Sequence, residues 1–262
     1  MTKGPSLCVA QTCPVRGDVS ANVDEHLRLV ELAAGLGADV ILFPELSLTG
    51  YELELGDRLA MSQNDSRIVP LLGAASSHRL TIVAGAPVRM GQSLHIGAFI
   101  VQPDRTIALY TKHHLGAFDD SARRDGNVPP PEATFFEPGA LDARVRFGDE
   151  LAAVAICADT SRTSHPRRAA RSGAKAYLAS MFVIPSEFET SCVRLAHYAE
   201  EHGMVVALSN FGSPTGGLAS AGRSSIWSEH GDLVTRLPPT GSGVAVATRS
   251  RDGWATKVAM LH

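Results

Sequence analysis

Three residue types that together perform acyl transfer each follow a short apolar run in this chain. Glu45 stands in "ILFPELSLTGY", Lys112 follows "TIALY", and Cys157 ends "LAAVAIC". A carboxylate can take the proton of a thiol, a thiolate can attack a carbonyl carbon, and an ammonium can stabilise the resulting oxyanion. An unperturbed thiol has a pKa of about 8.5, so a neighbouring base and cation are what make it reactive at neutral pH. Singly, each residue has a plainer reading. Glu45 could cap a helix or be solvated, Lys112 could be a surface lysine, and Cys157 could be one more buried free cysteine. Together, at three strand ends, they form the parts for chemistry through a thioester.

The elements around them alternate. "SLCVAQT" reads as a strand bounded by Pro5 and Pro14. Residues 20–37 read as a helix with Val23, Leu27 and Val30 at helical spacing, capped by Ser20 or Asn22 and ended by Gly35 and Gly37. "ADVILFPEL" is a buried strand closed by Pro44, and residues 66–79 form a helix with Pro70 near its start. "LTIVAGAPVRM" and "LHIGAFIVQPD" read as neighbouring strands joined by "GQS". Then follow the strand of Cys157, a helix in "SHPRRAARSGA", a strand in "KAYLASMF", a helix in "EFETSCVRLAHYAEEHG" and a strand in "MVVALSNFG". The last part, "SSIWSEHGDLVTRLP" and "SGVAVATRS", reads as a hairpin plus a final strand. Near-continuous apolar strands alternating with amphipathic helices indicate an α/β domain with covered sheets, where functional groups collect at strand ends. Periodicity does not separate one sheet from two packed face to face.

The bulk composition narrows the partners. A chain of 262 residues with a formal net charge of −3 gives no electrostatic reason to expect nucleic acid or an anionic membrane surface. No apolar run approaches the ~20 residues that span a bilayer. The opening "MTKGPSLCVAQTC" lacks an apolar stretch of signal-peptide length, so a cytoplasmic location is the expectation. Cys8, Cys13, Cys157 and Cys192 show no C-x-x-C and no zinc-finger spacing with histidine, and are expected to be free thiols.

The segments "PELSLTGY", "YTKHHL" and "AICAD" resemble, in this order, the Glu, Lys and Cys motifs of the nitrilase superfamily of carbon–nitrogen hydrolases. Three more segments carry the resemblance. "EATFFEPG" is similar to an E-x-x-x-F-x-P-G element whose glutamate is here Glu132, "MVVALSNFG" to a strand ending in Asn, and "SAGRSSIWSEHGDLV" to a G-x-S element with its following strand and turn. The matches run from about Ser6 to Val234. The resemblance implies a four-layer α-β-β-α sandwich, one domain over residues 1–262, paired through a helical face into a homodimer or higher homo-oligomer. It implies that Glu45 is the general base and Cys157 the nucleophile. Lys112, with the backbone N–H after Cys157, would hold the oxyanion, and Glu132 would position Lys112 or the substrate. Neither metal nor organic cofactor is needed. The implied substrate is a small linear amide or carbamoyl-amide. A nitrile, hydrolysed through a thioimidate, is the alternative, and a partner-binding protein on the same fold is a third reading.

The chain also departs from its relatives. "CADTSRTSHPRR" keeps Asp159 but spaces Arg162 and Pro166 differently and has Arg167 where many relatives have Glu, so substrate preference does not transfer. In "YAEEH", Glu201 is retained while Tyr198 and His202 replace an Arg and an Asn, positions expected to hold the loop scaffold. His114 fits a K-x-H-L pattern and is expected to support structure. Cys8, Cys13 and Cys192 are expected to be bystanders. The basic cluster 167–175 reads as a helix face or an interface edge, with attraction of an acidic substrate left open.

Overall fold

The computed structural model describes residues 4–251 and 253–261. In chain order the first half holds β1 (Ser6–Gln11), α1 (Val19–Leu36), β2 (Val40–Leu42), the single-turn α2 (Gly56–Leu59), α3 (Val69–His78), β3 (Thr81–Met90), β4 (Ser93–Val101) and β5 (Ile107–Thr111). The second half holds β6 (Arg144–Phe147), β7 (Glu150–Ile156), α4 (Ser164–Arg171), β8 (Ala176–Ser180), α5 (Phe188–His202), β9 (Val205–Ser209), β10 (Ser225–Trp227), β11 (Leu233–Arg236), β12 (Gly243–Ser250) and β13 (Gly253–Met260).

These strands form two mixed sheets. One has the order β13-β12-β1-β2-β3-β4-β5 and the other β11-β10-β9-β8-β7-β6. The central strands of each run parallel, β1 to β3 and β7 to β9, and their crossovers carry α1 and α3 on one sheet and α4 and α5 on the other. Strand alternation sends successive side chains to opposite faces. Leu7, Val9 and Leu42 therefore meet Val154 and Leu178 between the sheets, while Cys8, Ala10 and Ile41 pack outward under Val30 and Leu71 of the helices. On the far side, Tyr177 and Val206 pack under Ala169 and Leu195. The layer order is α-β-β-α, as the resemblance implied. The Ser180 hydroxyl donates across the sheet seam to the Phe43 carbonyl at 2.8 Å, and Ser209 donates to Ala10 in the same way.

Several local expectations need correction. Asp18 caps α1, accepting from Ala21 N at 3.0 Å, whereas Ser20 and Asn22 lie inside the helix. Asn22 is buried and donates instead to the Val15 and Leu48 carbonyls. The closing segment is a hairpin, β10 and β11, but β12 leaves it to pair with β1 in the other sheet and is followed by β13. β13 escapes a sequence reading because most of it is exposed, so burial imposes no pattern on it. β6 alternates exposed Arg144 and Arg146 with buried Val145 and Phe147, a period-two signal that was there to be read. No helix among the described residues is long and apolar enough to cross a membrane.

Candidate active site

Glu45 sits in the turn that leaves β2. Phe43 still pairs with β3 through Val83 O at 2.9 Å, then Pro44 ends the strand and Leu46 takes a φ of 53°. The turn presses on β3 at Gly85, where a Cβ would stand 2.4 Å from Leu46 N, so only glycine admits this approach. Ser47 fixes the turn from the other side, bonded to His26 Nε2 at 2.9 Å and accepting from Gly85 N at 3.2 Å. Burial pushes the His26 imidazole down to about 4, which keeps the ring neutral and apolar-compatible under α1.

Lys112 directly follows β5, its backbone held by Ile96 O at 2.8 Å and by Gly139 N at 2.7 Å. Its ammonium is fully buried and donates to Glu45 Oε1 and to Glu132 Oε1, each at 2.6 Å. Glu132 opens a tight turn, Glu132–Thr134, and is equally buried. Tyr51 OH donates to its Oε1 at 2.7 Å and Gly116 N to its Oε2 at 2.7 Å. Burial alone would lower the Lys112 ammonium, but the two carboxylates together reverse this and hold it well above the usual lysine range. Burial pushes the Glu45 carboxyl up to about 8, with Lys112 pulling against it. Glu45 Oε2 is buried and has no hydrogen-bond partner. The Cys157 side chain approaches the same carboxyl and opposes its upward shift.

Cys157 comes immediately after β7, as the first residue of a tight turn, Cys157–Ser161, with a φ of 40°. A left-handed backbone at a non-glycine residue costs on the order of 1–2 kcal/mol, so the surrounding bonds must hold it there. Asp159 supplies them. Its fully buried carboxylate accepts from Ile156 N at 3.1 Å, from His113 N and His114 N at 3.1 and 2.8 Å, and from Tyr110 OH at 2.7 Å. One side chain thus ties the cysteine turn to the segment that follows Lys112. His114 Nδ1 lies 3.1 Å from the same carboxylate, which is the structural place expected of it. Behind Asp159, Tyr110 bonds His165 Nε2, and His165 Nδ1 bonds Tyr177, both at 2.9 Å; burial lowers His165 to about 4.

The half-buried thiol is 3.7 Å from the Phe182 carbonyl. Burial raises it far above an ordinary thiol and the Glu45 charge adds to this, while Lys112 opposes both. With Glu132, Tyr51, Phe118 and Phe182 it lines a cavity of about 310 Å³, at the small end of the ~300–1,000 Å³ of ligand sites. Asn210, at the end of β9, pins the adjoining wall through two bonds with the Val183 backbone at 2.9 and 3.0 Å.

The structure brings together all four expected residues, Glu45, Lys112, Glu132 and Cys157. It adds Tyr51, which closes the quoted segment "PELSLTGY" but shows no role until its hydroxyl meets Glu132. Tyr198 donates to Thr160 O at 3.0 Å and so holds the cysteine turn, the scaffold role expected there. Cys8, Cys13 and Cys192 are free and do not line the cavity. In the cluster 167–175 the side chains of Arg167, Arg168 and Arg171 on α4 and of Lys175 beyond it are exposed, with Arg168 bonded to His113 Nδ1 at 2.9 Å. No group of three or more His, Cys, Asp or Glu placed to hold a metal occurs among the described residues.

A profile of the carbon-nitrogen hydrolase family matches residues 6–257, and the chain belongs to that family. A cysteine-to-alanine mutant of the amidase from Nesterenkonia sp. AN1, solved in complex with butyramide, has the same fold. Its TM-score is 0.82 at 22% identity, over 94% of this chain and 91% of that one. The chain is 35% identical to arylacetonitrilase of Aspergillus niger over 103 residues, 35% of this chain and 31% of that protein. It is 26% identical to glutamine-dependent NAD(+) synthetase of Mycobacterium leprae over 237 residues, 83% of this chain and 34% of that protein. The chain spans about a third of the length of these two curated relatives.

Proposed function

We propose that this carbon–nitrogen hydrolase is a thiol-dependent amidase that cleaves a small amide through a thioester on Cys157. The observation that carries the reading is the buried Lys112, bonded to Glu45 and Glu132 at 2.6 Å, beside a thiol on a small cavity and an unsatisfied Glu45 Oε2. In its ionised form, which gains as pH rises toward about 8, Glu45 takes the thiol proton as Cys157 Sγ bonds to the amide carbon. The C=O electron pair moves to oxygen, where Lys112 and the backbone N–H after Cys157 hold the charge. The C–N bond breaks, and the amine leaves with the proton that Glu45 returns. Water then attacks the thioester, gives its proton to Glu45, and the carboxylic acid departs as the thiol is restored. Glu132 keeps Lys112 oriented and charged throughout.

The reading also takes residues 1–262 as one unit, acting as a homodimer or higher homo-oligomer in the cytoplasm, in keeping with the resemblance drawn from the sequence. The test is intact-mass spectrometry with iodoacetamide on wild type and Cys157→Ala, followed by ammonia release from small amides, carbamoyl-amides and nitriles. One fast-labelling thiol, lost in the variant along with ammonia release from amides, is the expected result. Turnover confined to nitriles, or turnover that survives in Cys157→Ala, would overturn it.

A further inference from the structure

Behind the nucleophile, buried side chains from both sheets join in a single chain of hydrogen bonds. It passes from Tyr177 on β8 to His165 on α4, then to Tyr110 on β5, and ends on Asp159 in the turn that Cys157 opens. None of these residues is more than 3% exposed. The Asp159 carboxylate accepts backbone N–H groups on both oxygens, Ile156 on Oδ2 and His113 and His114 on Oδ1. It is an acceptor, so the Tyr110 hydroxyl gives it its one proton, at 2.7 Å to Oδ2. The Tyr110 oxygen, 2.9 Å from His165 Nε2, is then left to accept, and Nε2 has to carry a proton. Burial pushes the imidazole down to about 4 against the pull of Asp159, so the ring holds no second proton near neutral pH. Nδ1 is therefore bare and accepts from the Tyr177 hydroxyl at 2.9 Å. His26 is arranged the opposite way. Its Nδ1 faces the Asn22 carbonyl at 2.6 Å and must donate, and its Nε2 accepts from Ser47.

We infer that His165, held as the Nε2–H tautomer, is a positioning residue for Cys157, because it makes every proton of this chain point toward Asp159. With the other tautomer, Tyr110 would have to donate to the bare Nε2 and would abandon Asp159 Oδ2. The carboxylate would lose one of its donors, and with it part of the grip on Ile156, His113 and His114 that keeps Cys157 at a φ of 40°. His165 does not line the cavity of Cys157 and acts only through Tyr110 and Asp159. Its partners Tyr110 and Tyr177 belong to different sheets, so the nucleophile turn is referenced to both. His165 lies in "TSRTSHP", where the spacing departs from that of relatives, so its role is not carried by the shared motifs. The consequence for rate rests on Cys157 being the nucleophile. The tautomer itself does not.

The experiment has two arms. In the first, the ring nitrogens of isotope-labelled histidine are read by long-range proton–nitrogen NMR near neutral pH, with His165→Gln identifying the His165 signals by their loss. A protonated Nε2 and a bare Nδ1 are expected for His165, with the reverse in His26 as an internal reference. A proton on His165 Nδ1, alone or in addition, overturns the proposal. In the second, the rate of Cys157 labelling by iodoacetamide is measured in variants. His165→Phe keeps a ring but no N–H and is expected to slow labelling about 3–10-fold, the range of one net hydrogen bond. His165→Gln can place an amide N–H where Nε2 stood and is expected to recover most of that loss. Tyr110→Phe cuts the chain one member further on, so adding His165→Phe to it should slow labelling no more. Unchanged labelling in His165→Phe, an equal loss in His165→Gln, or additive losses with Tyr110→Phe would mean that the ring only fills space, and each overturns the proposal. Neither arm needs an amide. A protein that hydrolyses none would remove the amidase reading and leave this one standing.

Discussion

At the inner end of the cavity, Lys112, Glu45, Glu132 and Tyr51 are buried and joined by bonds of 2.6–2.7 Å; at the outer wall, the Arg194 Nε and the Ser186 hydroxyl have no partner at all. The two regions line one cavity beside the Cys157–Ser161 turn, yet they are built on opposite terms. Charges in a dry interior act strongly and need no reorganisation during reaction, provided that they neutralise one another beforehand. The inner cluster meets that condition. A recognition surface has to leave valences open for the ligand, and the wall does so. The difference teaches where each kind of substitution will register: inner changes in stability and rate together, wall changes in substrate choice alone.

Lys112→Met is the harshest challenge to this contrast. It leaves two buried carboxylates without their cation, and breaking a buried pair this way costs about 3–5 kcal/mol. Denaturant unfolding should show that loss, and ammonia release should fall to background. A shift in stability below ~1 kcal/mol would mean that the inner charges do not depend on one another as described. Asp159→Ala comes next, since it orphans the His113, His114 and Ile156 amides and the Tyr110 hydroxyl. A loss of about 2–4 kcal/mol is expected from the same measurement, with slower thiol labelling as the turn loosens.

Proton linkage sharpens the comparison without removing a side chain. Folded Glu45 holds its proton up to about 8, whereas an unfolded glutamate releases it near ~4.3. Between these values the folded chain binds more protons than the unfolded one. Its stability is therefore fully supported below ~4.3 and declines as pH rises through about 8. Melting temperatures across this window should show that slope in wild type and a shallower one in Glu45→Gln. An equal slope in both would place the titration elsewhere. Tyr51→Phe removes one of four bonds around Glu132 and Lys112 and should cost about 0.5–1.5 kcal/mol, with an up to ~10-fold drop in kcat. Thr190→Val, on the exposed part of the wall, should change stability by less than ~0.5 kcal/mol while altering relative rates among amides.

Much of the inner region was legible in the sequence because strand ends announce themselves. Pro44 stops an apolar run just before Glu45, "TIALY" delivers Lys112, and "LAAVAI" delivers Cys157. Glu132 became visible only through resemblance, since it lies in a proline-rich loop with no periodic signal. Asp159 was seen as a retained residue, but its bonds join segments about 45 residues apart, and no local pattern encodes them. Arg194 was illegible for another reason. On an amphipathic helix a polar residue between Val193 and Leu195 is ordinary, and only the packed wall reveals that its Nε has no partner. The order of layers followed the same rule: apolar strands announced covered sheets, whereas the count of sheets depended on long-range pairing such as β1 with β12.

Asp159 also sets how the site moves. Its carboxylate grips amides from two separate segments beside the cavity, so the stretch after Lys112 and the turn at Cys157 share one fastener. Neither can open to solvent while the other stays closed. In hydrogen–deuterium exchange the His113, His114 and Ile156 amides should therefore belong to a single cooperative opening unit, with one common protection free energy, even though they come from different sheets.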